Sequence, residues 1–246
     1  MKNLYINGCS YTVGHELDSE QTWPVLLSKL TNLNLINEAK NGQSMESIKI
    51  NSINHLSKLD PKDTTVIIGL TWPLRTSYSY NRFNINFTPS DFDGVLNINA
   101  KLSTWRRISS PYYYTDKEIR SERVNNNILE LNKKHDESLE VLTKYYDYQK
   151  ALATHSSTYT LDNTTRFITD IISLQSFLKV NKFKYSFVYY DINIFAQILY
   201  GELSYLSKQI DFEKIIKLFQ LTPNETCHPT ELDCKEYAKE IYETVF

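Results

Sequence analysis

Residues suited to nucleophilic chemistry stand near both ends of this 246-residue chain. Close to the N-terminus, "NGCSYTVG" sets a thiol, Cys9, and a small hydroxyl, Ser10, directly behind Gly8. Close to the C-terminus, "NETCHPT" holds His228, and "NEAKNGQS" in between carries Gly42. A serine attacks a carbonyl when a base takes its proton, a third group orients that base, and N–H donors receive the oxyanion. Ser10 fits the nucleophile and His228 the base. The backbone N–H groups near Ser10 and Gly42 fit the oxyanion donors. Glycine suits the second of these places because backbone there must approach the reacting carbonyl with no side chain in the way.

Each residue also has an ordinary use. A serine behind a glycine starts turns, and a histidine before a proline caps a helix or lies on the surface. The functional reading comes from their joint occurrence. Cys9 is a second candidate nucleophile, with Cys227 beside His228, although free cysteines are commonly small buried hydrophobes. Asp191, ending "SFVYYD", is an alternative orienting acid. His15 follows Gly14 and is placed to line a cleft, whereas His55, His135 and His155 lack ligand spacing and read as surface. No metal-binding spacing occurs in the chain, and serine chemistry of this kind needs neither a metal nor an organic cofactor.

Bulk composition narrows the class. The net charge is -2, with 27 Lys and Arg against 29 Asp and Glu, so no basic field points to nucleic acid. Three cysteines without metal spacing fit free thiols in a reducing compartment. Neither a basic segment leading into an apolar one at the start, nor a run of about 18 apolar residues anywhere, is found. A soluble, cytoplasmic protein without a membrane partner is therefore expected. Only six glycines occur, and three of them, Gly8, Gly42 and Gly69, stand behind strand-like runs.

Those residues need elements to position them. "NLYING" (3–8), "LNLINEA" (33–39) and "TTVIIGL" (64–70) read as strands, the last apolar enough to be buried on both faces. Between them, 19–32 carries Trp23, Leu26, Leu27 and Leu30 at helical spacing. Residues 44–59 place Ile48, Ile50, Ile53 and Leu56 near one face behind a Ser44 N-cap. This is the βαβαβ order of an open, mostly parallel sheet. Residues 71–137 lose periodicity and turn rich in Tyr, Asn, Ser and Phe, as an insertion with short strands would. Helices are expected over 138–153 and 164–180, and a strand over 183–191. Residues 210–221 read as helical or mixed, and a last helix as 229–246.

Ligands of open parallel sheets gather beyond the carboxyl ends of the strands. The first three strands lead into "GCS", "NEAKNGQS" and "GLTWPLR" respectively, and "NETCHPT" precedes the last helix. This series resembles the SGNH, or GDSL-type, hydrolase superfamily. That family carries a near-N-terminal G-D-S block, a glycine in a second block, G-x-N-D in a third and D-x-x-H before the last helix. "NEAKNGQS" resembles the family's N-x-A-x-x-G-x-S form, and the abundance of Asn, Ile, Lys and Tyr resembles phage-encoded members. The G-x-S-x-G elbow of α/β-hydrolases is missing.

The resemblance implies one domain over 1–246, a three-layer α/β/α flavodoxin-like sandwich with a mostly parallel sheet and a large middle insertion at 71–137. It implies a serine esterase that removes an acyl group, such as acetyl, from a carbohydrate or small ester through a Ser10 acyl-enzyme. His228 would be the base, Glu225 its orienting acid, and Gly42 with Thr71 the oxyanion donors. The chain departs from the family pattern at Cys9 for aspartate, Thr71 for asparagine, Trp72 for aspartate and Glu225 for aspartate. Losing one oxyanion donor costs about 10²–10³ in rate, so Thr71 or Arg75 would have to compensate. The same scaffold would also suit a non-catalytic ligand-binding protein or an acyltransferase. The tyrosines of 78–114 suit an aromatic sugar-binding wall or the packing of the insertion.

Overall fold

The computed structural model describes residues 2–14, 16–73, 76–80, 83–87, 97–100, 156–190, 204–219 and 228–246. They fall into two compact units, Met1–Pro73 with Thr165–Phe246, and Leu74–Thr164. In chain order the elements are β1 (Asn3–Asn7), α1 (Ser10–Val13), α2 (Trp23–Thr31), β2 (Asn34–Asn37), α3 (Met45–Leu56) and β3 (Thr64–Gly69). Next come β4 (Thr76–Tyr80), β5 (Phe83–Phe87) and β6 (Asn97–Ala100). The chain continues with α4 (Ser156–Val180), β7 (Lys184–Tyr189), α5 (Ser204–Ser207), β8 (Ile215–Lys217) and α6 (Glu231–Val245).

The first unit is built on a five-stranded, all-parallel sheet of order β2-β1-β3-β7-β8. Parallel neighbours need long crossovers, and the helices supply them on both faces. Alternation along each strand sorts the two cores. On one face Leu4, Ile6, Ile67 and Val188 pack with Trp23 and Leu27 of α2 and with Cys234, Tyr237, Ala238 and Ile241 of α6. On the other, Tyr5, Val66, Ile68, Phe187 and Tyr189 pack with Ile48 and Leu56 of α3 and Ile168, Ile171, Leu174 and Leu178 of α4. The unit is thus a three-layer α/β/α sandwich with a parallel centre. The second unit contains a separate antiparallel sheet, β4-β5-β6, in which Tyr80 pairs with Phe83 and Phe83 with Ala100.

Several local expectations hold. Ser44 caps α3, its side chain accepting from the Ser47 amide. Others change. Ile50 is 38% exposed and Leu30 52%. At about 100° per residue, Ile50 lies roughly 200° around the helix from Ile48, and the face of Ile48 and Leu56 is completed instead by Met45, Ser47 and Ser52. Within the stretch expected as helical or mixed over 210–221, Phe212–Lys214 form a short 3₁₀ turn followed by β8, whose three residues pair with Phe187, Val188 and Tyr189, while 220–221 lie outside the described residues. The helix expected over 138–153 lies outside the described residues.

Candidate active site

The chain leaves β1, forms β2 on one side of it, then crosses to form β3 on the other. The crevice beyond the carboxyl ends of β1 and β3 is therefore the topological switch point of the sheet, where ligands of such folds collect. Ser10 is the first residue of α1, separated from the end of β1 only by Gly8 and Cys9. The helix is one turn long. Thr12 and Val13 N–H donate to the Cys9 carbonyl at 2.9 and 3.0 Å, and Gly14 ends the turn at φ 71 with its N–H on the Ser10 carbonyl at 3.1 Å. Ser10 is 5% exposed.

Two glycines let this turn lie against the strands. A Cβ on Gly8 or on Gly69, at the end of the neighbouring β3, would stand 2.1 Å from Thr12 Oγ1. Thr12 is fully buried, and its hydroxyl is 3.1 Å from the Tyr190 hydroxyl just beyond β7. Burial raises the Tyr190 phenol well above its ordinary value, against a smaller opposing effect of the Thr12 hydrogen bond. Tyr237 is shifted the same way, first by burial and then by Asp233. Both phenols stay neutral; Tyr190 shares a hydrogen bond with Thr12, and Tyr237 serves as a packing group.

The loop after β2 is drawn to the same place. Glu38 N–H donates to the Ile6 carbonyl at 2.8 Å and Lys40 N–H to the Gly8 carbonyl at 3.1 Å. Gly42 comes two residues later at φ 73, a left-handed conformation that glycine adopts without strain. Beyond β3, Leu70 N–H donates to the Val188 carbonyl at 2.8 Å. Thr71 comes next and is 3% exposed, whereas Trp72 is 54% exposed.

His228 arrives from the far end of the chain. Two residues later Thr230 caps α6, its hydroxyl accepting from Asp233 N–H while the Asp233 carboxylate accepts from both the N–H and the hydroxyl of Thr230. That reciprocal box fixes where the helix begins, and so where His228 stands before it. Gln21 Nε2 also donates to Glu231 at 2.9 Å, tying the start of α6 to the turn ahead of α2. His228 is 7% exposed, and its ring centroid lies 5.2 Å from that of Tyr11, the residue after Ser10.

Of the expected site residues, Cys9, Ser10, Gly42, Thr71 and His228 stand in or beside these loops. Glu225, His15, Arg75, Asp191 and Cys227 lie outside the described residues. Cys9 is 2% exposed and caps α1 without a side-chain hydrogen bond, as a small apolar residue would. His55 is half-buried, its Nδ1 3.5 Å from Glu38 and its ring 6.1 Å from that of Tyr5. Three residues at the site, Tyr11, Asn7 and Gln43, are not marked by any sequence motif. Their local signs are slight: Asn7 stands between the apolar Leu4–Ile6 and Gly8, Gln43 directly follows Gly42, and Tyr11 is a bulky ring directly after Ser10. Among the described residues no group of three or more His, Cys, Asp or Glu could hold a metal ion. None of their helices is long and apolar enough to cross a membrane.

No family model matches the chain, and no curated protein sequence does. Among solved structures it is similar to TesA, with a TM-score of 0.47 at 12% identity over 99% of this chain and 97% of that one. It is similar to the psychrotrophic esterase EstA from Pseudoalteromonas sp., inhibited by monoethylphosphonate, with a TM-score of 0.48 at 12% identity over 100% and 97%. A lipolytic protein of the G-D-S-L family from Desulfitobacterium hafniense DCB-2 gives 0.45 at 10% identity over 99% of each chain.

Proposed function

We propose that this chain is an esterase-type serine hydrolase with Ser10 as nucleophile. The observation that carries the reading is the 5.2 Å packing of the Tyr11 ring against His228, at the switch point of a parallel sheet. Tyr11 directly follows Ser10, so this contact sets the turn after β1 beside the residue that leads into α6, which supports pairing Ser10 with His228.

In this mechanism His228 takes the Ser10 hydroxyl proton as Oγ bonds to the substrate carbonyl carbon. The resulting oxyanion accepts from the backbone N–H groups of Ser10 and Gly42 and from the Thr71 hydroxyl. The first amides of a helix have no acceptor within it, which suits the Ser10 N–H to this task. Collapse of the tetrahedral intermediate breaks the bond to the leaving alkoxide, which takes the proton from the His228 imidazolium. Water, giving its proton to His228, then attacks the acyl-enzyme and releases the acid, and Ser10 recovers its proton. Glu225 is the residue assigned to orient His228. The acyl group is small, such as acetyl, and its carrier is a carbohydrate or small ester; exposed Trp72 beyond Thr71 offers a flat apolar face of the kind that stacks on a sugar ring.

Intact mass after treatment with a fluorophosphonate tests the reading on wild type, Ser10→Ala and His228→Ala. One adduct on wild type, lost in Ser10→Ala and reduced in His228→Ala, is the expected result. No adduct on folded wild type would overturn it. That outcome would favour ligand binding without turnover, a second reading drawn from Thr71 standing where the SGNH pattern has an asparagine donor.

A further inference from the structure

We propose that Gln43 is a positioning residue that sets the spacing between the Ser10 loop and the Gly42 amide, an inference that rests on the hydrolase reading above. Gln43 is fully buried, and nothing about a core position calls for an amide there. Its Nε2 donates to the Gly8 carbonyl at 2.7 Å, to Asn7 Oδ1 at 3.0 Å and, more weakly, to the Glu38 carbonyl at 3.4 Å. Its Oε1 accepts from Asn51 Nδ2 at 3.0 Å. That last bond fixes which way the amide faces, because a flipped amide would set oxygen against the acceptors Gly8 O and Asn7 Oδ1.

The other half of the clamp is Asn7, also fully buried. Its Oδ1 accepts from the Gly8 N–H at 2.8 Å, and its Nδ2 donates to Ser52 Oγ at 3.0 Å and to the Ile48 carbonyl at 3.3 Å. Both backbone groups of Gly8 are therefore held, one by each side chain, and the whole is anchored on α3. Gly8 lies two residues before Ser10, and Gln43 is bonded directly to Gly42. The chain thus spends a buried polar network, which must be fully satisfied to be tolerated, on joining the two loops that carry nucleophile and oxyanion donor. Such supporting contacts act on the reaction through geometry, since small misplacements of reacting groups are costly.

Inactivation kinetics with the fluorophosphonate probe, on the full chain, separate the possibilities. Gln43→Met should lower the limiting inactivation rate by about 10- to 100-fold, with the half-saturating probe concentration and final stoichiometry unchanged. Asn51→Ala, which frees the Gln43 amide from a half-buried position, should give a smaller loss of the same kind. Lys49→Met, which breaks the ion pair with Asp170 elsewhere on α3, serves as a stability control and should keep the wild-type rate. Wild-type rates in both Gln43→Met and Asn51→Ala would overturn the proposal while leaving the hydrolase reading in place. A reduced final stoichiometry at unchanged rate, shared with Lys49→Met, would show a merely structural role and overturn it too. No labelling of wild type would overturn both. If Gln43→Met does not fold, the Asn51→Ala rate decides: slower supports the clamp, unchanged rejects it.

Discussion

Tyr11 sets its ring 5.2 Å from the imidazole of His228, inclined at 41°, and the same ring stands 5.1 Å from Tyr190. Tyr190 in turn lies 5.8 Å from Tyr237 of α6. The histidine therefore abuts an aromatic row that begins one residue from Ser10 and ends in the core beneath the last helix. Rings at these separations attract edge-to-face or offset, and a ring face also favours a cation placed over it. In the proposed mechanism, a His228 that passes between imidazole and imidazolium would gain from such a wall in both states.

Replacing Tyr11 tests that role. Tyr11→Phe keeps the ring and should label with a fluorophosphonate within about twofold of wild type. Tyr11→Ala removes the wall and should slow labelling by about 2- to 13-fold, as about 0.5–1.5 kcal/mol for an aromatic pair implies. Equal rates for the two variants would mean that the ring does not hold His228.

The two glycines beneath α1 should differ in how they can be rescued. Gly69→Ala brings a Cβ to 2.1 Å from Thr12 Oγ1, and overpacking of this sort costs about 1–3 kcal/mol. In a Thr12→Ala background the nearest Thr12 atom is the Cβ at 3.4 Å, so most of that cost should vanish. Gly8→Ala should stay destabilising in the same background, because Thr12 Cβ lies 2.8 Å and Gly69 Cα 3.2 Å from its new methyl. Thermal melts of the two double-mutant cycles check this asymmetry. Equal rescue would show that α1 shifts freely on the sheet.

The sequence announces what is decided locally. "TTVIIG" reads as a buried parallel strand because both its faces are covered, which demands an unbroken apolar run. Ser44 reads as a cap because the hydroxyl acts on its own helix. β8 does not announce itself: three residues at a sheet edge take their conformation from pairing with β7, and "IIK" alone carries no period. The site divides in the same way. Ser10 and Gly42 are marked by the glycines and turns around them. Tyr11, Asn7 and Gln43 acquire their roles only through partners far off in the chain, such as His228 and Ser52.

The ion pair between Lys49 and Asp170 joins α3 to α4, with side chains 22% and 13% exposed. Burial raises the Asp170 carboxyl above its ordinary value, and Lys49 offsets this only in part. The folded state therefore binds the Asp170 proton more tightly than the unfolded state does. This group favours folding below its unfolded pKa, and the contribution is lost as pH rises through its folded value. Lys49→Met removes the offsetting charge, so its deficit against wild type should widen as pH rises above the ordinary carboxylate range. The double variant Lys49→Met, Asp170→Leu should be neutral or more stable than wild type. Denaturant titrations at several pH values measure both, and a deficit that shrinks with rising pH would contradict the sign.

The last question is which nucleophile the "GCS" turn offers. Cys9 is 2% exposed and makes no side-chain capping bond, so its thiol serves α1 as volume. Cys9→Ala should therefore leave fluorophosphonate labelling at Ser10 within about threefold of wild type, the modest loss reflecting a small cavity. Cys234 is fully buried, and its thiol is pushed up to about 11, first by burial. It should resist alkylation in the native state at about pH 8 and react only after unfolding. Peptide mapping after iodoacetamide treatment reads both thiols in one experiment. Rapid native alkylation of Cys9, together with loss of esterase labelling in Cys9→Ala, would transfer the nucleophile's role from the hydroxyl to the thiol beside it.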